Sequence, residues 1–165
     1  SYAYWGWVLD KLGDEDPTVP LAAFGQYFNR PDDTPAPLQF MEVVYYLNEE
    51  IFALSHEGPA DHDVPVLTAG MGNGGGGTIL RLREGVERFL ITDVNNPAAG
   101  AWSQSNIWIM HDAISPIPQN FNHVPAGANV LFMDGHVQFL QYPADEPVNR
   151  VWASAIGGVF DPNNP

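Results

Sequence analysis

The chain has 165 residues, of which 45% are hydrophobic and 12% aromatic, which is enough to bury one hydrophobic core. Six Lys and Arg residues oppose twenty Asp and Glu residues, and the net charge of -14 argues against nucleic acid or an anionic membrane as partner. Cysteine is absent, which excludes disulfides and thiolate chemistry. No apolar run reaches the roughly 20 residues of a membrane span, and no signal-peptide pattern opens the chain. We expect one domain over residues 1–165, with a loose tail over 157–165.

The first half of the chain combines an aromatic start with one long helix. Residues 1–9, SYAYWGWVL, alternate well enough to predict a strand or extended segment docked on the core. A loop is expected over Asp10 to Pro20, and Leu21 to Phe28 has helical spacing over barely two turns. From Pro37, expected at the first helical position, the run LQFMEVVYYLNEEIFALS follows the helical period. Its predicted apolar stripe comprises Leu38, Met41, Tyr45, Asn48 and Phe52, while Gln39, Glu42, Glu49 and Glu50 fall elsewhere.

Shorter elements follow. The pattern predicts a short strand over Val66 to Thr68, a short helix over Arg83 to Leu90 with Phe89 on its buried face, and a strand over Asn106 to Met110. Val148 to Ile156 is expected to form one or two helical turns. Because helices dominate the first half and strands the second, the sequence predicts an α+β fold with an antiparallel sheet.

A β-hairpin near the carboxyl end is the strongest local signal. Two runs rich in β-branched and aromatic residues, Asn129 to Met133 and His136 to Tyr142, are separated only by Asp134-Gly135. This dipeptide predicts a two-residue type I′ turn. With that turn, alternation places Val130, Phe132, Val137 and Phe139 on one face.

A glycine-rich stretch follows the possible strand at residues 66–68. It contains Gly70-x-Gly72-x-x-Gly75, a spacing found where a backbone approaches a pyrophosphate, and Asp93 lies about twenty residues further on. Four consecutive glycines do not fix the tight turn, however, and no clean helix or basic partner follows. A flexible surface loop is the favoured interpretation, so no nucleotide is expected.

Histidine and aspartate residues of the second half suggest a metal-dependent hydrolase as one alternative function. His111, Asp112, His123, Asp134 and His136 would converge if the hairpin turn and the end of the preceding strand met at one sheet edge. No compact ligand spacing supports this. The competing interpretation is that Asp134 shapes the turn and His123 forms a hydrogen bond across it.

A calcium site is a further hypothesis. Asp93, Asn95 and Asn96 supply oxygen ligands in one loop, and Asp112 could contribute from a neighbouring connection. The same Asx side chains before Pro97 are also explained by turn formation alone.

No nucleophile motif is present, because no serine lies in a Gly-x-Ser-x-Gly elbow. The aromatic start offers a third alternative, a surface-binding module, which requires Trp5 and Trp7 to be exposed side by side. Packing in the core is the competing interpretation.

Two segments resemble a known family. Leu82 to Ser115, LREGVERFLITDVNNPAAGAWSQSNIWIMHDAIS, and Phe121 to Pro143, FNHVPAGANVLFMDGHVQFLQYP, are similar to the C-terminal half of prepilin-like proteins with a His to Asp-Gly processing-associated element. Here the element runs from His123 to Asp134-Gly135, with ten residues between His123 and Asp134, one more than in the family's spacing. The similarity is weaker in the first half and absent from Asp145 onward.

The resemblance implies a pilin or pseudopilin-like head, in which an antiparallel sheet and an Asp-Gly hairpin pack against helix. It implies a structural, non-enzymatic subunit of an extracellular or envelope-spanning filament that contacts the membrane only during biogenesis. The long apolar amino-terminal helix of the family is not in this sequence, so it was trimmed, was cleaved or is a separate chain. Pseudopilin relatives often carry Ca²⁺, which favours an ion near Asp93, Asn95, Asp112 or Asp134.

Overall fold

The computed structural model describes residues 1–24, 33–52, 61–90, 104–123 and 125–160, which form an α+β structure with antiparallel sheets. The helices are α1 (Leu38–Phe52), α2 (Glu87–Leu90) and α3 (Arg150–Phe160). The strands are β1 (Tyr2–Tyr4), β2 (Thr18–Pro20), β3 (Pro35–Pro37), β4 (Val64–Pro65), β5 (Thr78–Ile79), β6 (Trp108–Asp112), β7 (Gly127–Phe132) and β8 (Val137–Gln141). Within these residues, no helix is both long and apolar enough to cross a membrane.

The main sheet has four antiparallel strands in the order β1-β6-β7-β8, so the predicted hairpin is present as β7 and β8. The predicted extended start is also confirmed, because β1 forms one edge of this sheet. Two small antiparallel pairs, β2 with β3 and β4 with β5, accompany it. The loop predicted over Asp10 to Pro20 therefore ends in a strand, and Pro37 closes β3 directly before α1 begins.

The hairpin turns through three residues, Met133 to Gly135, instead of the predicted two. The Phe132 N–H donates to the His136 carbonyl at 3.0 Å, and the Gly135 N–H donates to the Phe132 carbonyl at 2.9 Å. Gly135 has a φ of 89°, whereas Asp134 is not among the residues with positive φ. This is the type I turn with a left-handed glycine that closes three-residue hairpins, so the predicted type I′ turn is wrong.

The longer turn reverses the face of every β8 side chain. Val130 pairs with Gln138, and Asn129 pairs with Phe139, so Phe139 lies on the face opposite Val130. The prediction that these two residues share a face is wrong for this reason. Val137 and Phe139 are accordingly 61% and 47% exposed, while Val130 is fully buried.

The core lies on the inner face of the sheet, where three aromatic rings from distant parts of the chain meet edge to face. Trp152 of α3 lies 4.8 Å from Phe40 of α1 and 5.5 Å from Trp5, measured between ring centroids. Asn149 begins α3 as its N-cap, because its Oδ1 accepts the Trp152 N–H at 2.9 Å. The helix predicted to end near Ile156 continues to residue 160, which corrects the loose tail expected from Gly157; residues 161–165 lie outside the described part.

Helix α1 begins at Leu38, one residue after the predicted first helical position Pro37, and it buries a different face. Gln39 is 0% exposed and Glu42 is 6% exposed, whereas Tyr45, placed on the predicted apolar stripe, is 42% exposed. Glu42 is buried because its carboxylate accepts the backbone N–H groups of Leu67 and Thr68 at 2.8 and 2.9 Å. Polar side chains that satisfy loop amides thus occupy positions that periodicity assigned to solvent.

Four shorter predicted elements differ from the structure in the described residues. The strand expected at Val66 to Thr68 lies slightly earlier, at Val64–Pro65, and the strand expected at Asn106 to Met110 lies slightly later, at Trp108–Asp112. The helix of residues 83–90 is reduced to the single turn α2, on which Phe89 is 62% exposed. For the helix expected over residues 21–28, a 3-10 turn covers Leu21–Phe24, and the remainder lies outside the described residues.

Candidate functional site: the outer face of the main sheet

The outer face of the main sheet carries an apolar row that crosses all four strands. We call it the outer row; it consists of Tyr4, Met110, Leu131 and Val137, each paired with the next across neighbouring strands. Directly paired residues of antiparallel strands point to the same face, so the row is continuous. Tyr4 and Val137 at its ends are 51% and 61% exposed, and the two residues between them are partly exposed.

A second row beside it has aromatic ends and a polar centre. Tyr2 pairs with Asp112 and Asn129 pairs with Phe139, and the β6–β7 register places Asp112 beside Asn129. Tyr2 is 72% exposed. A shallow depression of about 320 Å³ on this side of the sheet is lined by Tyr2, Met110, His111, Asn129, Leu131 and Val137.

Asp112 is the polar centre of this face. It contacts His123, and both residues belong to the predicted set of histidines and aspartates. Its Oδ2 accepts from His123 Nε2 at 3.0 Å, from the Asn129 backbone N–H at 2.9 Å and from Asn129 Nδ2 at 3.0 Å. Asp112 is 4% exposed, whereas the His123 side chain is 44% exposed. His123 Nε2 also lies 2.9 Å from Asn129 Nδ2, so the carboxylate, the imidazole and the amide form one compact polar cluster. None of the hydrogen bonds in the described residues joins this imidazole to a hydroxyl that it could activate.

Although His111 lines the depression described above, its imidazole is buried in the core. It is 1% exposed; its Nδ1 donates to the Asp112 carbonyl at 2.7 Å, and its Nε2 accepts from the Trp152 indole at 3.2 Å. Burial lowers the pKa of His111 to about 4, against the weaker opposing effects of the Asp112 carbonyl and charge. Both ring nitrogens are occupied by structural hydrogen bonds, so His111 is not free to bind a metal or substrate.

Asp134 and His136 form a separate pair at the hairpin tip. Asp134 Oδ1 accepts the His136 backbone N–H at 3.1 Å and lies 2.6 Å from His136 Nδ1. These two hydrogen bonds, the backbone one first, hold the pKa of Asp134 below its ordinary value. Asp134 therefore shapes the hairpin turn, as the competing interpretation of this residue predicted.

The predicted convergence of these histidines and aspartates is wrong. In the antiparallel β6–β7 pair the end of β6, at Asp112, lies beside the start of β7, while the hairpin tip follows the end of β7. Asp134 lies five positions after Asn129, about 16 Å along an extended chain. The metal-dependent hydrolase therefore lacks a common ligand centre within the described residues.

Of the four residues predicted to bind calcium, two lie among the described residues and two do not. Asp93 and Asn95 lie outside the described residues. Asp112 and Asp134 are described, and each is bonded within its own end of β7. In the described ranges no group of three or more metal-binding side chains is present. A site that uses Asp93 and Asn95 stays a prediction.

The glycine-rich stretch is a surface loop held by polar side chains from elsewhere in the chain. Asn73 Nδ2 donates to the Val8 carbonyl at 2.8 Å and to Asp10 Oδ1 at 2.7 Å, and the Gly74 N–H donates to Asp10 Oδ2 at 2.9 Å. Gly72, Gly75 and Gly76 direct their N–H groups to carbonyls of the same loop. A strand, β5, follows it instead of a helix. The amides that would cradle a phosphate are used internally, beside a carboxylate that repels anions.

Sequence reasoning missed an acidic cavity of about 450 Å³, lined by Asp10, Gly13, Asp14, Glu15, Asn106, Trp108, Ala144, Asp145, Glu146 and Asn149. Glu146 Oε1 accepts the Leu12 N–H at 3.0 Å. Burial raises the pKa of Glu146 to about 7, and the nearby Asp16 and Asp10 carboxylates raise it further against the Leu12 bond. No periodic pattern marks these residues, which come together from the loop after β1, the start of β6 and the segment before α3.

Of the two tryptophans of the amino-terminal segment, Trp7 is a core residue and Trp5 is partly buried against the core. Trp7 is 5% exposed, and its indole donates to the His62 carbonyl at 3.0 Å. Trp5 packs edge to face on Phe40 with ring centroids 4.9 Å apart. The surface-binding module that needed Trp5 and Trp7 exposed side by side is therefore contradicted, and the exposed aromatics of this segment are Tyr2 and Tyr4.

The fold and the outer face together define an α+β protein whose antiparallel sheet has one buried and one partly open apolar face. No family model, no curated protein and no solved structure matches this chain. The resemblance to prepilin-like proteins accordingly rests on the residues quoted for it.

Proposed function

We propose that this chain is the head of a pilin or pseudopilin-like subunit, a structural and non-enzymatic component of an extracellular or envelope-spanning filament. The observation that carries the proposal is the outer row, an apolar line across all four strands whose ends, Tyr4 and Val137, are more than half exposed. Large apolar side chains clustered on a face typically mark an interaction surface.

The position of the outer row within the chain supports the same proposal. Three of its four members, Met110, Leu131 and Val137, lie in the segments that resemble prepilin-like proteins. An apolar helix laid on this face would cover the row, and a long apolar helix is the partner that the family resemblance implies. Burial of a Val or Leu side chain is worth about 2 kcal/mol, so covering the row would contribute several kcal/mol to assembly.

The Asp112–His123 pair supports a structural role more than a catalytic one. Asp112 ties the loop that carries His123 to β7 through three hydrogen bonds. The rival hydrolase needs ligands that meet at a common point, and the described histidines and aspartates are divided between the core, one end of β7 and the hairpin tip.

A high negative charge sets the conditions for assembly. Subunits of net charge -14 repel one another, so contacts between heads need screening by salt or bridging by cations such as Ca²⁺. Filament formation should therefore strengthen with ionic strength or with added Ca²⁺.

Photo-crosslinking in the native organism tests the proposal. A photoreactive residue is placed at Val137 in the outer row, and at Leu67, which is 73% exposed outside the main sheet, as a matched control. We expect the Val137 position to give adducts with an apolar pilin-type helix or with repeated copies of the head, and electron microscopy to show filaments that contain the chain. Equal adducts from both positions, or only monomers in native preparations, would overturn the proposal.

A further inference from the structure

The outer edge of β8 presents backbone groups that nothing in the described residues pairs. β8 bonds β7 on one side and is the last strand of the sheet. The backbones of His136 and Tyr142 face β7, because the Phe132 N–H donates to the His136 carbonyl and the Tyr142 N–H donates to the Ala126 carbonyl, both at 3.0 Å. Alternate residues of an antiparallel strand point their backbone groups to alternate sides, so Val137, Phe139 and Gln141 point theirs to the free edge.

This edge lacks the features that usually prevent pairing with another chain. Natural edge strands are blunted by charged residues, prolines, bulges or short length. β8 has five residues, VQFLQ, paired without a bulge to β7, and no Asp, Glu, Lys or Arg lies between Asp134 and Asp145. β1 at the other edge has three residues. Pro143 stands just beyond β8, where it limits the length of any pairing without blocking the strand.

We propose that β8 is a homodimer interface, in which two copies of this chain pair antiparallel about a two-fold axis at Phe139. Phe139 then faces its own copy, and Val137 of each molecule faces Gln141 of the other. All three residues direct N–H and C=O groups outward, so the pairing forms about six backbone hydrogen bonds and joins the two sheets into one.

Charge favours a second copy over a partner of another kind. A basic partner would be drawn to the carboxylates elsewhere on this chain and not to an uncharged strand. Two molecules of charge -14 can approach closely only where each is neutral, and β8 is such a stretch. The set of outward residues is also symmetric about Phe139, as an isologous contact requires. Asp134 of one copy would lie near Asp145 of the other at each end, so the dimer should strengthen as salt screens them.

The inference does not rest on the proposed function, since the filament proposal uses side chains on the face of the sheet and the dimer uses backbone groups at its edge. Val137 contributes its side chain to the first surface and its backbone to the second. The two are tested on different material. Filament contacts are sought in the native organism, whereas the dimer is sought with the purified chain alone.

Single cysteines test the register, because the chain has none of its own. In a hydrogen-bonded antiparallel pair the Cα atoms lie about 5.5 Å apart, within the span of a disulfide. Phe139→Cys should therefore cross-link to itself under mild oxidation. Val137→Cys should not, because its two copies would lie about 14 Å apart, yet a mixture of Val137→Cys with Gln141→Cys should form the mixed dimer. Cross-linking of Phe139→Cys no faster than that of Leu67→Cys would overturn the proposal.

Sedimentation provides a second measurement that needs no change at Phe139. The unmodified chain should sediment as a dimer at high protein concentration, and increasingly so with added salt. Val137→Glu should shift it to monomer, because it places a further negative charge at the uncharged edge, whereas Leu67→Glu, the same kind of change at an exposed residue away from this edge, should leave the dimer unchanged. A chain that stays monomeric at all salt concentrations, or an equal response to both substitutions, would refute the dimer.

Discussion

The Trp152 indole donates a hydrogen bond to His111 Nε2 at 3.2 Å and so joins α3 to the centre of the main sheet. Trp152 is 0% exposed and His111 is 1% exposed, and the imidazole also donates from Nδ1 to the Asp112 carbonyl. The same histidine therefore connects the helix in the core to the strand that carries Asp112 on the outer face. This arrangement requires a neutral imidazole, because Nε2 must accept.

The first prediction concerns the pH dependence of stability that His111 imposes. Burial lowers its folded-state pKa from 6.5 to about 4, so the unfolded chain binds the proton first as the pH falls. Its stabilising contribution is complete above about pH 6.5 and is lost as the pH falls towards 4, a difference of about 3 kcal/mol. In urea titrations, His111→Gln should remove this pH-dependent part of the unfolding free energy, with His62→Gln at an exposed position as control. Parallel profiles for His111→Gln and the unmodified chain would contradict it.

The second prediction concerns Glu146, whose effect on stability has the opposite sign. Its pKa rises from 4.5 in the unfolded chain to about 7, so its contribution is present below about pH 4.5 and is lost as the pH rises through 7. Relative to the unmodified chain, Glu146→Gln should become progressively more stable as the pH rises from 4.5 to 7. Asp145→Asn, a change of the exposed neighbour, should show no such trend. A pH-independent difference between Glu146→Gln and the unmodified chain would exclude a buried, proton-binding Glu146.

A third prediction tests the polar centre of the outer face. Asp112→Asn replaces an acceptor of three hydrogen bonds by an amide that brings donors of its own towards Asn129 and His123. We expect a loss of about 1–3 kcal/mol in unfolding free energy and changed chemical shifts for the His123 ring. Asp134→Asn at the exposed hairpin tip should cost less. An equal loss in the two variants would show that Asp112 does not hold the loop as described.

The fourth prediction compares alanine substitutions at two glycines of the glycine-rich loop, Gly72 and Gly77. A Cβ at Gly72 would lie 2.3 Å from the Thr78 nitrogen and 2.6 Å from the Gly76 oxygen, both backbone atoms that cannot easily move. Gly72→Ala should therefore destabilise the fold by about 1–3 kcal/mol. At Gly77 no heavy atom lies within 4 Å, so Gly77→Ala should be neutral or stabilising by up to about 1 kcal/mol. Thermal unfolding of the two variants decides, and equal melting temperatures would contradict the close approach at Gly72.

The fifth prediction tests the buried amide of α1. Gln39 Oε1 accepts the backbone N–H groups of Asp10 and Lys11 at 2.9 and 3.0 Å, and its Nε2 donates to the Met71 carbonyl at 3.0 Å. Gln39→Met keeps the size but leaves these backbone groups without partners, at a cost of about 3 kcal/mol. Amide hydrogen exchange at residues 10 and 11 should accelerate. Gln104→Met, at an exposed position, should change neither quantity, and a Gln39→Met variant as stable as this control would refute the role.

Local patterns predicted several elements well. The alternation of residues 129–142 around Asp134-Gly135 located β7 and β8, and the helical period from Leu38 located α1, because both signals come from neighbours in sequence. Asn129 also carried a signal that could have been used. A polar amide disfavoured in strands, set within an apolar run, indicates a specific hydrogen bond, and Asp112 supplies it.

The sequence by itself determined the α+β class, the hairpin position and the net charge, since these depend on composition and on neighbouring residues. Tertiary structure decided which faces are buried. One additional residue in the hairpin turn moved Phe139 to the outer face, because side chains alternate with a period of two along a strand. Long-range hydrogen bonds placed Gln39 and His111 in the core, since a buried polar group is stable only where distant backbone or side-chain partners satisfy it.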